Sequence, residues 1–552
     1  MPARAYDVAV ASTLVEVDPS PAVAQRPAVD VLTLRLLGSR PSAGLGPWLA
    51  ALVITAIGGV LRFWRLDHPH ALVFDETYYV KQGVSLLKVG YELRWPDKTK
   101  PTADFKFAHG TPDVFLSTPD FVVHPPAGKW MIAIGESIFG WGSPWGWRFS
   151  AAVCGTLSIL MIIRIGRRLF GSTLLGLVAG LLLAIDGHHL VHSRTGLLDV
   201  FVMFWALAAF GALVLDRDQA RARLAGRLVA AAEDRQAAPP GAPSPLRHGP
   251  GLGLRWWRLV AGICLGLCLG TKWSGLFFVV VFGLMTVLWD AGARRAAGVE
   301  HWWWAAVVKD GLSGALLIVP ATLVTYLACW TGWFASSGGY NRQWGADHPS
   351  SSFGWVPDSL RGLWKYHQEQ YNFNVNLRSF HAYKANPWSW IVMGRPTAFW
   401  YEGPKVGQKG CAVSQCSEAI TALGNPVIWW GAVLAIGVLA FRWLLARDWR
   451  AGAILAGLLA GYGPWFLYQE RTIYNFYAVA FVPWVVLAVT YALGLLLGPS
   501  HADPRRRLWG AVAAGTLVVA AVMACAWFYP IYVAEVIPQT SWSDRMWLPS
   551  WI

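Results

Sequence analysis

Two adjacent carboxylates, Asp75 and Glu76, lie in the run 71–80, shortly after the first long apolar segment of the chain. A carboxylate at a membrane surface can take the proton of a weakly nucleophilic hydroxyl, the work of a general base. Cations gather near the same ends of the apolar segments. Arg62 closes the first, Arg148 opens the second, Arg194 precedes the fourth, and Lys272 sits in the turn between two short ones. Guanidinium groups bond phosphate oxygens bidentately, so several cations facing two acids suit an anionic headgroup held beside a base. Asp199, just inside the fourth apolar segment, joins this group, because an ionisable residue at the edge of hydrocarbon is costly unless it is paired or used.

A second polar cluster, Asp186, His188, His189 and His192, occupies the turn before the fourth segment. Three imidazoles and a carboxylate are ligand types for zinc or manganese, but the spacing fits no standard zinc site, and an interfacial polar turn accounts for the same residues. No metal or other cofactor is expected to be required; a divalent cation is the open point. Of the seven cysteines, five lie in or near apolar segments, whereas Cys411 and Cys416 share an outer loop where a disulfide can close. The 34 tryptophans gather at segment ends, as membrane-interface anchors do, which leaves Trp388 and Trp390 in an outer loop for stacking on sugar or acceptor.

What must position these residues follows from composition. The chain has 552 residues, 55% hydrophobic and only 14% charged, with a mean hydropathy of +0.39. Its long apolar runs can satisfy their backbone in lipid only as helices, so the expected fold is an all-α polytopic membrane bundle. Eleven segments are expected to span: 47–66, 144–163, 170–186, 197–215, 259–272, 274–290, 311–330, 426–441, 451–467, 476–497 and 508–528. The net charge of +14 comes largely from arginines in short connections. They lack the interleaved pattern of a nucleic-acid surface and report topology instead. All the positive clusters fall on one side, together with the N-terminal tail. That side is cytoplasmic by the positive-inside rule, which places the C-terminus and Asp75-Glu76 outside the membrane.

Residues 1–45 are expected to be a disordered cytoplasmic tail, residues 216–258 a basic cytoplasmic linker with a low-complexity part at 231–253, and residues 531–552 an outer tail. Two long outward connections, 67–143 and 331–425, should hold the chemistry. In the first, the run 129–139 is apolar but too short to span, and reads as a helix lying on the membrane.

Four stretches together resemble the protein O-mannosyltransferases: 74–79 with Asp75 and Glu76, 124–129 with His124 and Lys129, 193–199 with Arg194 and Asp199, and 270–275 with Lys272. Order and spacing match from about residue 46 to 530. A partial match at 471–477 adds Tyr474 and Asn475 as candidates for the lipid or acceptor groove, and His124 and Lys129 remain further site candidates. The resemblance implies the GT-C glycosyltransferase fold, with about eleven transmembrane helices and two large extracytoplasmic loops. It also implies transfer of mannose from a polyprenyl-phosphate carrier to Ser or Thr hydroxyls of exported proteins, with Arg62 and Arg148 at positions that hold the carrier phosphate. The second loop is too short for the MIR domain of eukaryotic members, which suggests a bacterial enzyme of the plasma membrane with the Sec translocon as a candidate partner.

On chemical grounds Asp75 is the preferred base and Glu76 an orienting residue, although the two roles could be exchanged. Arg62, Arg148, Lys272 and Arg194 would bind the donor phosphate. Two other readings stand beside this one. A related transferase could use the same lipid donor on a lipid or polysaccharide acceptor. A transporter would instead show inverted repeats and polar residues at mid-membrane, which this sequence does not.

Overall fold

The computed structural model describes residues 28–38, 41, 44–96, 98–111, 114–236, 244–499 and 501–552. Eight of its helices are long and apolar enough to cross a membrane: Leu45–Phe63, Pro144–Phe170, Asp199–Arg235, Gly275–Ala296, Trp302–Cys329, Pro426–Ala446, Asn475–Leu497 and Pro504–Tyr532. Three shorter apolar helices, Thr173–Ala184, Trp256–Thr271 and Trp449–Gly461, lie between them. Every one of the eleven expected segments is thus helical, but three are shorter than the usual spanning length.

The Asp199–Arg235 and Asn475–Leu497 helices are the most enclosed. Leu45–Phe63 turns most of its surface outward, exposing Leu49, Val53, Ile57 and Val60. Small residues let the helices approach closely. A Cβ on Gly155, for example, would lie 2.1 Å from Ser193 Oγ, so a larger residue there would push apart the turn that carries Arg194.

Charges enclosed at the other end of the bundle are paired. Arg255 donates to Asp216 at 2.9 Å and to Asp290 at 2.8 Å, and Arg258 reaches the same two carboxylates. Such pairing offsets the cost of desolvating each ion. These contacts also show that the expected linker over 216–258 begins as helix. The fourth apolar segment continues as one helix from Asp199 to Gln236, so Asp216 and the arginines that follow it are helical. Within the expected low-complexity part, residues 237–243 lie outside the described residues. The expected disordered tail is corrected likewise: Ala28–Leu37 is a helix, with Arg221 donating to the Leu36 carbonyl at 2.7 Å, while residues 1–27, 39, 40, 42 and 43 lie outside the described residues.

The two long connections are folded. The first carries the helices Glu76–Val89, Ala103–Ala108 and Ala127–Phe139. The last of these buries Lys129, Ile132, Ala133 and Glu136 and exposes Ile134, Ile138 and Phe139, the amphipathic form expected of an interfacial helix. The second carries the 19-residue helix Asp358–Asn376 and the strands β1 (Thr397–Glu402) and β2 (Cys416–Ala422).

β2 also pairs antiparallel with β3 (Val536–Pro538), which fastens the C-terminal tail to this loop. An all-α fold therefore needs one amendment, a small three-stranded sheet in order β1-β2-β3. Cys411 and Cys416 are joined by a disulfide in the β1–β2 connection.

Candidate active site

Asp75 and Glu76 begin the Glu76–Val89 helix, yet they meet different surroundings. Glu76 is fully buried and accepts four hydrogen bonds, from Arg148 Nε at 2.9 Å, Arg148 Nη2 at 3.0 Å, Val73 N at 2.9 Å and Gly196 N at 2.7 Å. Its carboxylate ties the first loop to the turn before Asp199. Asp75 is half-buried, and its carboxylate makes no capping bond to the helix it starts.

The residue before Asp75 is fixed by an unusual backbone. Phe74 has φ 48°, a left-handed conformation that non-glycine residues rarely adopt. Its ring is stacked 4.8 Å from Phe399 of β1 and lies 5.2 Å from Phe476. Residues from both long connections and from the Asn475–Leu497 region therefore hold the turn that presents Asp75.

Around Asp75 stand Lys272, Asp199 and Tyr79. Lys272 Nζ donates to Asp199 at 2.7 Å and lies 5.2 Å from the Tyr477 ring. Burial pushes the Asp75 carboxyl up to about 6, against the pull of Lys272 and a hydrogen bond from Tyr79, while the negative charge of Asp199 pushes the same way as burial. The ring of His124 lies 6.1 Å from Tyr79. Burial, together with the charges of Lys272, Lys129 and Arg471, holds its imidazole well below the usual range, hence neutral.

Arg471, the first residue of the partly matched stretch 471–477, was not among the expected site residues. Its Nη2 donates to Asn374 Oδ1 at 3.0 Å, while its buried Nε has no hydrogen-bond partner. Tyr474 borders the same cleft, its ring 6.5 Å from Phe74 and 5.0 Å from His381. Tyr79 and Tyr477 were missed as well. An aromatic run at an outer membrane edge reads as an anchor until the fold turns it onto an acid.

Other members of the expected phosphate set lie away from Asp75, each with partners of its own. Arg148 spends all five N–H groups, two on Glu76 and three on the carbonyls of Leu66, Pro69 and Ala71. Arg194 donates to the carbonyls of Leu61, Arg62, Trp64 and Arg65, where the ending helix Leu45–Phe63 leaves acceptors unsatisfied. Arg62 is fully buried and bonds to the carbonyls of Gly58, Ala184 and Leu183 and to His189 Nδ1. These three guanidinium groups are engaged by backbone carbonyls, Glu76 and His189, with Arg62 Nε left unpartnered, and of the expected four it is Lys272 that stands beside Asp75.

Lys129 is buried against Glu92 at 2.7 Å and the His124 carbonyl at 2.9 Å. Asn475 is buried, donating to the Trp390 carbonyl at 3.2 Å with its Oδ1 unpartnered. Trp390 is itself fully buried, which rules it out for the stacking expected of it, whereas Trp388 is exposed.

The Asp186 turn is likewise occupied by structure. Asp186 accepts from His189 N, Asn425 N and Trp429 Nε1. His188 lies 3.2 Å from the carbonyls of Ala422 and Phe476, and His192 is 2.8 Å from the His188 carbonyl. Among the described residues no three His, Cys, Asp or Glu side chains converge as metal ligands do.

Asp75 and Lys272 lie outside the two stretches that match known family models, whereas Asp199 and Arg471 lie within them. Residues 123–232 match the model described as dolichyl-phosphate-mannose-protein mannosyltransferase, and residues 359–551 match the C-terminal four-helix region of protein-O-mannosyltransferase. The polyprenol-phosphate-mannose–protein mannosyltransferase of Mycolicibacterium smegmatis is 38% identical over 512 residues, covering 91% of this chain and 93% of the relative. The protein of the same name from Mycobacterium tuberculosis is 35% identical over 528 residues, covering 93% and 94%.

A solved yeast structure, the Saccharomyces cerevisiae protein O-mannosyltransferase Pmt1-Pmt2 complex bound to the sugar donor, superposes with a TM-score of 0.68 at 14% identity, covering 95% of this chain and 94% of that one. At that identity the superposition establishes the shared GT-C architecture of a multi-pass membrane protein. The near-full-length identity to the mycobacterial proteins places the chain in the protein O-mannosyltransferase family.

Proposed function

We propose that this enzyme transfers mannose from a polyprenyl-phosphate-mannose donor to Ser or Thr hydroxyls of proteins passing across the plasma membrane, with Asp75 as the general base. The observation that carries the assignment of the base is the division between the two acids. Glu76 is consumed by four structural hydrogen bonds, whereas Asp75 keeps its carboxylate toward Lys272 and Tyr79 with a pKa of about 6. A base with a pKa near the working pH accepts a proton with useful driving force while remaining largely ionised.

In the proposed step the acceptor oxygen attacks the anomeric carbon as Asp75 takes its proton, and the bond from that carbon to the phosphate oxygen breaks. Polyprenyl phosphate leaves as an anion whose second pKa is about 6, so no acid has to protonate the departing oxygen. Lys272, positioned by Asp199, and the unpartnered Nε of Arg471 are the groups that would stabilise the leaving phosphate. A single displacement inverts the anomeric configuration. The scheme needs no metal.

All eleven apolar helices cross the membrane in this reading, with the N-terminus cytoplasmic and the Asp75 cleft and C-terminus outside, where acceptors emerge from the Sec translocon. The test is to incubate membranes carrying the protein with labelled polyprenyl-phosphate-mannose and a Thr-rich, Pro-containing exported peptide. Label should appear on peptide hydroxyls. Label passing only to lipid or polysaccharide would overturn the acceptor assignment.

A further inference from the structure

A large cavity lies away from the Asp75 cleft. It lies at the opposite end of the bundle, has a volume of about 1530 Å³, and among the described residues is lined by eight arginines but a single carboxylate, Asp218. Arg217 and Arg221 place it along the same helix that Asp199 begins. At 1.5 Å per residue, Arg217 is about 27 Å from Asp199.

The arginines come from separate elements: Arg35 from the helix Ala28–Leu37, Arg164, Arg167 and Arg168 from the end of Pro144–Phe170, and Arg507 from the start of Pro504–Phe528. A surplus of cations on convergent helices repels itself unless an anion fills the space between them.

Three of the lining arginines, Arg164, Arg217 and Arg221, each leave one nitrogen without a hydrogen-bond partner. Arg168 and Arg217 share Asp218 at 3.0 and 3.2 Å. Arg164 lies against the Trp48 ring at 3.7 Å, with its buried Nη1 lacking a hydrogen-bond partner. The Nε atoms of Arg217 and Arg221 are buried and unpartnered as well. Three arginines that line the cavity therefore each carry one buried nitrogen without a partner, which a bound anion would stabilise through its charge.

The same cavity has an apolar wall, on which Leu174 and Leu508 are exposed. A soluble anion would use only the arginines, whereas a phospholipid uses both surfaces, its phosphate among the guanidinium groups and its acyl chains along the leucines.

We propose that this arginine-lined cavity is a binding site for the headgroup of an anionic phospholipid in the leaflet opposite the Asp75 cleft. The site is distinct from the donor pocket, and the inference does not depend on the assignment of Asp75.

The full-length protein, delipidated in detergent, is titrated with diphosphatidylglycerol, with phosphatidylcholine and with inorganic phosphate. Diphosphatidylglycerol should bind at least about tenfold more tightly than either of the others. The double substitution Arg164→Gln and Arg221→Gln should weaken it about tenfold, as loss of charge-assisted bonds requires. Asp218→Asn removes the one repelling carboxylate and should tighten it.

Equal affinity for the two lipids would overturn the proposal. Inorganic phosphate binding as tightly as diphosphatidylglycerol would also overturn it, since the ligand would then be a soluble anion. If the double variant fails to fold, unchanged or weaker binding by Asp218→Asn overturns the proposal by itself.

Discussion

Arg148 grips Glu76 through two N–H···O bonds of 2.9 and 3.0 Å, both side chains out of contact with solvent. One residue earlier, Asp75 faces Lys272 and Asp199 instead. Neighbouring acids of similar intrinsic acidity are therefore separated into a structural and a chemical group by which way the helix start turns them.

Asp75→Asn should lower turnover by at least about 10²-fold, the scale of general-base catalysis, while leaving donor affinity nearly unchanged. Single-turnover rates and donor titration on the purified variant check this. Wild-type-like turnover would remove Asp75 from the role of base.

The pH dependence follows from the same residue. Because only ionised Asp75 can accept a proton, kcat/KM should rise with pH through about 6. Lys272→Met removes the charge that favours the carboxylate and should move this limb upward. Asp199→Asn removes a repelling charge and should move it downward. Shifts in the same direction for both variants would contradict the arrangement.

Stability should show the complementary effect. The folded state holds the Asp75 proton more tightly than an unfolded chain, whose aspartates titrate near about 3.9. Between that value and about 6 the folded state binds more protons, so stability falls as pH rises across the window. Asp75→Asn should abolish that decline and raise Tm at neutral pH; calorimetry of wild type and variant from acid to neutral pH measures it.

Glu76→Ala leaves Arg148 buried without its partner and should cost about 3–5 kcal/mol of stability, the usual penalty for breaking a buried pair. Thermal unfolding in detergent would show a lowered Tm for Glu76→Ala and not for Asp75→Asn. Equal Tm values for the two would mean that the Arg148 contact contributes nothing to the fold.

Orientation can be checked with cysteines in two exposed positions. In intact cells Ser351→Cys should react with an impermeant thiol reagent and Ser244→Cys should be shielded. The reverse pattern would place the Asp75 cleft in the cytoplasm.

The eleven helices were legible in the sequence because apolar length and positive flanks are local properties of the chain. That Asp75, Lys272 and Asp199 would gather at one edge was legible too, since each lies at or near the end of an apolar segment, and the fold brings the three together. The continuation of the fourth segment to Gln236 was not, because charged residues inside a long helix look like a linker until Arg255 and Asp216 are seen to pair across helices. Nor was the sheet, whose β3 is three residues long and pairs with a strand more than a hundred residues away in the chain.

What the sequence determined by itself was a helical membrane enzyme with acids and cations at one edge. Which cations stand beside the Asp75 cleft was decided by tertiary structure. Arg62, Arg148 and Arg194 look like phosphate ligands in a linear chain, but folding brings carbonyls left bare at helix ends and turns within 3.4 Å of them. A buried carbonyl without a donor costs more than a relocated arginine, so the backbone claims those guanidinium groups, and Lys272 and Arg471 remain at the cleft.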